Sequence, residues 1–303
     1  MHFRIAHTIR YRYSEPVFLE PHAVRMQPRS VADQVLQEFN MQVHPQPTGM
    51  SHCMDAEGNH LAHLWFDGLH EELTVAIRAH VQTLRANPFD YLLKPDSCKL
   101  PLVYEKSVDG LLGPAIVRDV SDAKDGDRVG KFAAELCKNT RGQLIPFLDR
   151  LNQSIYEDWE AIHRHEGDSW PATKTFAQRT GACRDLAVLF MDACRSQGIA
   201  ARFVSGYQEG DAEQDQRELH AWAEVYVPGA GWRGYDPTHG LAVADRHVAV
   251  AASVDPAHAA PTVGSFRKTA ATATLDAHVE IEVRSEPRVM QQAQQQQQEP
   301  GKR

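Results

Sequence analysis

Cys183 is the residue of this chain best placed to do chemistry. It stands in Thr180-Gly181-Ala182-Cys183-Arg184-Asp185, a tight turn that runs straight into a helical stretch for which Gly198 supplies the stop. From Leu186 to Cys194 the stretch is apolar nearly all the way round, broken by Asp192, so the helix is expected to run through a core. A sulfur at a helix N-terminus faces N–H groups that lack intrahelical acceptors and the positive end of the dipole, and both favour the thiolate. A thiolate can attack a carbonyl carbon. Taken alone, such a cysteine reads equally well as a small buried hydrophobe, so its company decides.

The company is His220 and Asp236, on the two arms of an expected β-hairpin. His220 to Val227 alternates, Pro228-Gly229-Ala230-Gly231 is a turn, and Trp232 to Pro237 returns. With a loop of Val227 to Gly231, Trp222 lies opposite Asp236 and His220 opposite Thr238, which makes His220 and Asp236 diagonal neighbours on one face. A loop of only Pro228 to Gly231 turns Asp236 to the other face. We adopt the odd-length loop. A base beside the thiol then takes its proton, while the carboxylate fixes the imidazole tautomer and supports its charge. The competing reading makes His220 a strand histidine and Asp236 the opener of an Asp-Pro turn.

The helix and strands that must hold these groups belong to a chain of 303 residues, long enough for two cores. With 42% hydrophobic and 24% charged residues it has the composition of a soluble globular protein. A net charge of −8 and no Lys/Arg run argue against a nucleic-acid partner. The five cysteines contain no CxxC, so neither a disulfide framework nor a structural zinc site is signalled, and reduced thiols are expected. Met1-His2-Phe3-Arg4-Ile5 alternates like a strand and lacks an apolar signal core, and no segment is apolar enough for a membrane helix. These features predict no membrane association and a cytoplasmic location. Most of the sixteen histidines stand singly, and His163-x-His165 falls on a polar helix end, so no metal or cofactor is expected. No EF-hand-type loop points to calcium.

Period-two alternation fills residues 1–84: Phe3, Ile5, Ile9, Tyr11 and Tyr13 on one face, then Phe39, Met41 and Val43, then Leu73, Val75, Ile77 and Val81. This predicts an antiparallel, sandwich-like β-domain. Residues 85–125, rich in Pro and Gly, read as a connector. Helical spacing follows in Val129, Phe132, Ala133, Leu136 and Cys137, then in Ile145, Leu148, Leu151, Ile155 and Trp159, before a short helix or turn from Ala172 to Arg179. Beyond Gly198 the pattern becomes strands, including Ala277, Val279, Ile281 and Val283. The expected second domain spans 126–288, and the glutamine-rich tail 289–303 has the composition of a disordered segment.

Three blocks resemble the transglutaminase-like superfamily, which is similar in active-site plan to papain-like cysteine proteases. They are Gly181-Ala182-Cys183-Arg184-Asp185, then Gly198-Ile199-Ala200-Ala201-Arg202-Phe203-Val204-Ser205-Gly206-Tyr207, then His220-Ala221-Trp222-Ala223-Glu224-Val225-Tyr226 with Gly231-Trp232-Arg233-Gly234-Tyr235-Asp236-Pro237-Thr238. Tyr13-Ser14-Glu15-Pro16-Val17 and Asp55 with Gly58-Asn59 also resemble the β-domain of the family's bacterial branch. The resemblance implies an α+β fold: an antiparallel β-domain, then a papain-like core with the nucleophile at the N-terminus of a buried helix packed on an antiparallel sheet. It also implies Cys183 as nucleophile, His220 as general base and acid, and Asp236 as orienting carboxylate. The family's oxyanion hole uses the N–H of the cysteine and an upstream donor, for which Asn152, Gln153, Tyr156 and Trp159 are candidates, with the helix pattern favouring a core role for Trp159.

Around this centre, Trp222 and Trp232 are expected to line the cleft beside His220, Arg217 and Glu218 to rim it, and Asp185 to serve the helix dipole in one stripe with Asp192 and Ser196. Cys194 lies about 16 Å along the helix, too far to be a resolving thiol. The expected activity is a cysteine peptidase or amidase acting on a peptide or protein amide through a thioester. The alternatives are transfer of the acyl group to an amine, a scaffold that keeps the fold without turnover, and a zinc hydrolase. Oligomeric state is open.

Overall fold

The computed structural model describes residues 1–118, 126–164, 167–210, 217–267 and 270–285; the expected glutamine-rich tail lies outside them. The N-terminal alternation forms six strands: β1 (His2–Leu19), β2 (His22–Val24), β3 (Gln34–His44), β4 (Gly49–Met54), β5 (His60–Trp65) and β6 (His70–Thr83). After them come α1 (Lys106–Ile116), α2 (Arg128–Asn139), α3 (Leu144–Asp158), β7 (Glu160–Ala161), α4 (Ala172–Gln178), β8 (Thr180–Gly181) and α5 (Cys183–Ser196). The chain continues as β9 (Ala201–Gln208), β10 (His220–Val227), β11 (Gly231–Asp236), β12 (Leu241–Ala242), β13 (His247–Ser253), β14 (Thr262–Val263), β15 (Phe266–Arg267) and β16 (Ala273–Arg284).

The sandwich packs the sheet β15-β1-β6-β3, with β16 also on β1, against the sheet β14-β2-β5-β4. Phe3, Ile5 and Ile9 from one sheet and Val24, Ala62 and Leu64 from the other fill one apolar core between them, the usual outcome of strands with one apolar face each. The second core lies between the helices and the antiparallel sheet β12-β11-β10-β9-β13. Leu186, Leu189, Phe190 and Ala193 of α5 and Leu148, Leu151 and Ile155 of α3 meet Phe203, Ala223, Val225 and Tyr235 there. Helix α5 thus runs through a core, as its sequence indicates.

Two segments differ from the sequence reading. Residues 106–116, placed in a connector because of Gly110, Gly113 and Pro114, form α1, with Leu112 and Ala115 buried. The weak helix propensity is overridden by packing on α5 and β9, and Arg195 of α5 donates from Nε to the Ala115 carbonyl at 3.0 Å near the helix end. Leu102 and Tyr104 of the same stretch are also buried. Strand β16, placed in the second domain by its position, pairs antiparallel with β1 from His2↔Arg284 to Tyr13↔Ala273. Alternation marks it as a strand but does not name its partner.

The two cores meet. Tyr207, Val248 and Val250 of the second sheet pack in the sandwich cluster. His7 of β1 makes a buried 2.9 Å hydrogen bond through Nδ1 with the Tyr207 hydroxyl. Burial, then the neighbouring His278, lower the His7 pKa to about 4. An unfolded histidine binds its proton near 6.5, so between these values the unfolded chain carries more protons and acid favours unfolding. The stability held above pH 6.5 should therefore fall as pH drops toward 4, at up to about 1.4 kcal/mol per pH unit from this group. Denaturant titrations at pH 7 and pH 5 should show the difference, and His7→Phe should reduce it.

Candidate active site

The position of Cys183 is set by what precedes α5. Strand β8 pairs in parallel with β7, Glu160↔Thr180 and Ala161↔Gly181, and Ile162 donates its N–H to the Gly181 carbonyl at 3.0 Å. Asp185, fully buried, accepts from the backbone N–H of Ala182 at 2.9 Å and of Trp170 at 2.7 Å, and from Arg164 Nη2 at 2.7 Å. It therefore ties the turn just before the sulfur, and the segment through Trp170, to the first turn of the helix. Asp185 is structural as expected, but through this buried network rather than a stripe with Asp192, which instead pairs with Arg118 at 2.8 Å. Cys183 itself is half-buried against the core.

The hairpin register brings the other two groups together. Val227↔Gly231 closes the loop, and pairing continues through Tyr226↔Trp232, Val225↔Arg233 and Glu224↔Gly234 to Ala223↔Tyr235, the odd-length arrangement. His220 and Asp236 consequently face one another, His220 Nε2 to Asp236 Oδ2 at 2.7 Å. With Nε2 committed to Asp236, Nδ1 is the ring nitrogen left for the Cys183 sulfur, which lies near enough to favour the charged ring. Asp236 is fully buried. An ionised carboxylate only accepts, so every ring that touches it must donate. Besides His220, its Oδ2 receives His239 Nδ1 at 2.8 Å and His247 Nε2 at 3.1 Å, while Oδ1 receives the Thr238 N–H at 3.0 Å. The Asp-Pro turn and the histidine partner, competing readings of Asp236 in the sequence, are both present.

Charge follows from this set. Burial alone would raise the Asp236 pKa, but the charge and hydrogen bond of His220, with the other imidazoles, hold it well below the usual carboxylate range. Burial disfavours a charged His220, yet Asp236, by charge and hydrogen bond, and then Cys183 outweigh it and raise the imidazole to about 10. The site is built to keep a carboxylate ionised and an imidazolium protonated at neutral pH. Among the described residues, His220, Asp236 and His247 also offer donor atoms within 4.8 Å of one another, close enough to bracket a cation. In this arrangement the Nε2 atoms of both imidazoles donate to the shared Asp236 oxygen.

The other expected site residues divide. Trp222 is buried, its ring centroid 6.2 Å from His220 and 5.1 Å from His247, so it shields the histidines from within. It lies across Gly206, where an added Cβ would come within 2.2 Å of the Val248 carbonyl and 2.6 Å of the indole. Trp232 does not join it. Paired with Tyr226 near the hairpin loop, it stacks under Arg202 at 4.2 Å, four residues or about 13 Å along β11 from Asp236. Alternation says which face a residue takes and nothing about that distance.

Of the oxyanion candidates, Trp159 is buried and gives its indole N–H to the Thr175 carbonyl at 3.0 Å. Gln153 gives its amide to the Gly240 carbonyl at 2.5 Å. Tyr156, half-exposed, packs over Gly240, and Asn152 is buried with its Oδ1 unpartnered among the described residues. Glu218 lies 3.7 Å from His163. His239 and His247 were missed. The spacing Asp236-x-x-His239 was a local signal for the first, whereas His247 arrives from another strand and left none.

A cysteine at the head of a core helix, set against an antiparallel sheet that carries a His–Asp pair, defines a transglutaminase-like architecture. Residues 131–237 match the model of the transglutaminase-like superfamily, and residues 3–82 match that of the bacterial transglutaminase-like N-terminal region. The chain belongs to the transglutaminase-like superfamily. It is 25% identical over 289 residues to an uncharacterized protein of Mycobacterium tuberculosis, covering 92% of each. It is 36% identical over 74 residues to the protein-glutamine gamma-glutamyltransferase of Pseudomonas aeruginosa, covering 22% of this chain and 11% of that one. The crystal structure of a candidate cysteine protease from Cytophaga hutchinsonii shares the fold, with a TM-score of 0.70 at 20% identity over 95% of this chain and 93% of that one.

Removing Asp185 should disturb both stability and the sulfur's setting. Asp185→Ala takes the acceptor from two backbone N–H groups and from Arg164, and should cost about 3–5 kcal/mol in denaturant unfolding. Alkylation of Cys183 should slow in the fraction that still folds.

Proposed function

We propose that the chain is a cysteine-nucleophile acyl-transfer enzyme acting on peptide or protein amides, with Cys183, His220 and Asp236 as its reacting set. The observation that carries this reading is His220 held between a buried carboxylate at 2.7 Å and the sulfur at the head of α5. In the first half-reaction the Cys183 sulfur bonds to the amide carbonyl carbon. The carbonyl oxygen takes the negative charge, and the Cys183 N–H, which a first-turn position leaves without an intrahelical acceptor, is the donor nearest to it in the chain. The imidazolium of His220 passes its proton to the departing nitrogen, the C–N bond breaks, and a thioester remains. In the second half-reaction His220 takes a proton from water, whose oxygen displaces the sulfur and releases a carboxylic acid. Asp236 stays ionised throughout and holds the ring. Tyr156, Gln153 and Asn152 stand on the helix from which a second oxyanion donor would come.

Hydrolysis, as peptidase or amidase, is the favoured outcome because water is the default acceptor. The local likeness to a protein-glutamine gamma-glutamyltransferase supports a second acceptor, a primary amine, which would take water's place in the same step and leave an amide.

Iodoacetamide should modify Cys183 faster than Cys53, Cys98, Cys137 or Cys194 below pH 7, and His220→Ala should slow that reaction by about 100-fold or more. Equal rates at all accessible thiols, unaffected by His220, would leave a scaffold. Mass spectrometry of Cys183 after incubation with cell lysate should find an acyl adduct. Release of that adduct by water alone, or as a conjugate with an added fluorescent amine, separates hydrolase from transferase.

A further inference from the structure

Of the two histidines that join His220 on Asp236, His247 is the buried one. His239, with about 40% of its side chain exposed, makes a bond to Asp236 that solvent could supply in its absence. His247 is buried on β13, and its Nδ1 has no partner among the described residues, so its single proton belongs on the Nε2 that faces Asp236. Burial, outweighing Asp236, lowers its pKa, so it donates to the carboxylate without competing for charge. The charged and titratable groups that face it are Asp236, His220 and His239. Take the ring away, and the carboxylate loses a donor that nothing restores and gains room to turn from His220.

Strand β13, which carries His247, is the outer edge of its sheet and is bonded on one side to β9 alone. Its free side is not left to solvent. The Gln34 side chain accepts the Ala249 N–H at 2.7 Å and donates to the Ala249 carbonyl at 2.9 Å. The Asn59 side chain does the same for Ala252, at 2.8 Å and 2.9 Å. Both amides are buried, and both belong to the N-terminal sandwich. The spacing of three residues would put alternate groups of a regular strand on opposite edges. The register shift between Ala249 and Ala251 brings both backbone pairs to the same edge. Two carboxamides thus imitate a neighbouring strand, and Glu57 extends them by accepting the Val254 N–H at 2.8 Å.

We propose that His247 is a positioning residue for the Asp236–His220 pair, and that the N-terminal domain seats it through a clamp of Gln34 and Asn59 on the edge of β13. The inference rests on reading Cys183, His220 and Asp236 as the reacting set. It gives the sandwich a place in the chemistry: it holds the strand that holds the carboxylate.

The test is the pH profile of Cys183 alkylation by iodoacetamide in the full-length chain, with folding followed by circular dichroism. In the wild type the acid limb reports formation of the thiolate–imidazolium pair. His247→Leu should slow alkylation at pH 6 by about tenfold. It should also move the acid limb upward by about half a pH unit or more, because a carboxylate short of a donor is easier to protonate and holds the imidazolium less firmly. His247→Gln, whose amide N–H can reach Asp236, should stay within about twofold of wild type. Gln34→Met, which leaves His247 intact, should shift the limb in the same direction by less. A folded His247→Leu whose profile overlays the wild type overturns the positioning role, and an overlaying Gln34→Met profile overturns the clamp. Should His247→Leu fail to fold, the Gln34→Met profile decides alone, and an unshifted limb rejects the proposal. A wild-type protein with no His220-dependent reactivity would instead remove the underlying reading of the site, an outcome distinct from either.

Discussion

The negative charge of Asp236, fully buried among aromatic rings, is the constraint around which this molecule is arranged. A carboxylate taken out of water is costly unless hydrogen bonds and an opposite charge accompany it. Here three imidazoles and a backbone N–H converge on its two oxygens, drawn from β10, from the turn after β11 and from β13. Each donor imposes a requirement on the fold. The hairpin must have odd parity, the chain must turn sharply after Pro237, and the edge strand must lie where its first residue reaches inward. A sheet that met only the hydrophobic demand would have no reason to satisfy all three.

The sulfur is held by a different device. Its helix crosses the centre of the second core, so the helix axis is fixed by packing, and the rotation of its first turn is fixed by the Asp185 network and the short parallel ribbon of β7 and β8. Helix and sheet are pressed together by one set of apolar contacts, with Phe190 stacked on Tyr235 at 5.5 Å, next in sequence to Asp236. The distance between the Cys183 sulfur and the His220 ring is therefore a packing distance. Loop conformation has little say in it.

The sandwich and the second unit do not behave as beads on a string. They share apolar contacts through Tyr207, Val248 and Val250, and the amides of Gln34 and Asn59 complete the edge of β13. The last described strand, β16, returns to the first. A boundary drawn from composition near residue 84 separates two patterns of sequence; it does not separate two independently covered surfaces. The same interleaving stabilises the far edge of the sheet, where an exposed row of N–H and C=O groups would otherwise invite pairing with another chain.

The sequence by itself determined the inward face of the N-terminal strands, the helices from Arg128 to Ser196, the existence of the β10–β11 hairpin, and the candidacy of Cys183, His220 and Asp236, because periodicity and turn chemistry are local properties; the parity of that hairpin was settled by its register. Tertiary structure alone decided the rest. Leu112 and Ala115 make a helix of a glycine- and proline-bearing stretch because a core waits to cover them. Trp222 reaches the histidines and Trp232 does not, since alternation fixes side but not distance along the strand. Asp185 finds Arg164 and Trp170, and Asp236 finds His247, across gaps in sequence that no local pattern spans. An apolar face or an acceptor oxygen is written in the residue itself, whereas the partner that covers or satisfies it is chosen only when distant segments compete for the same space.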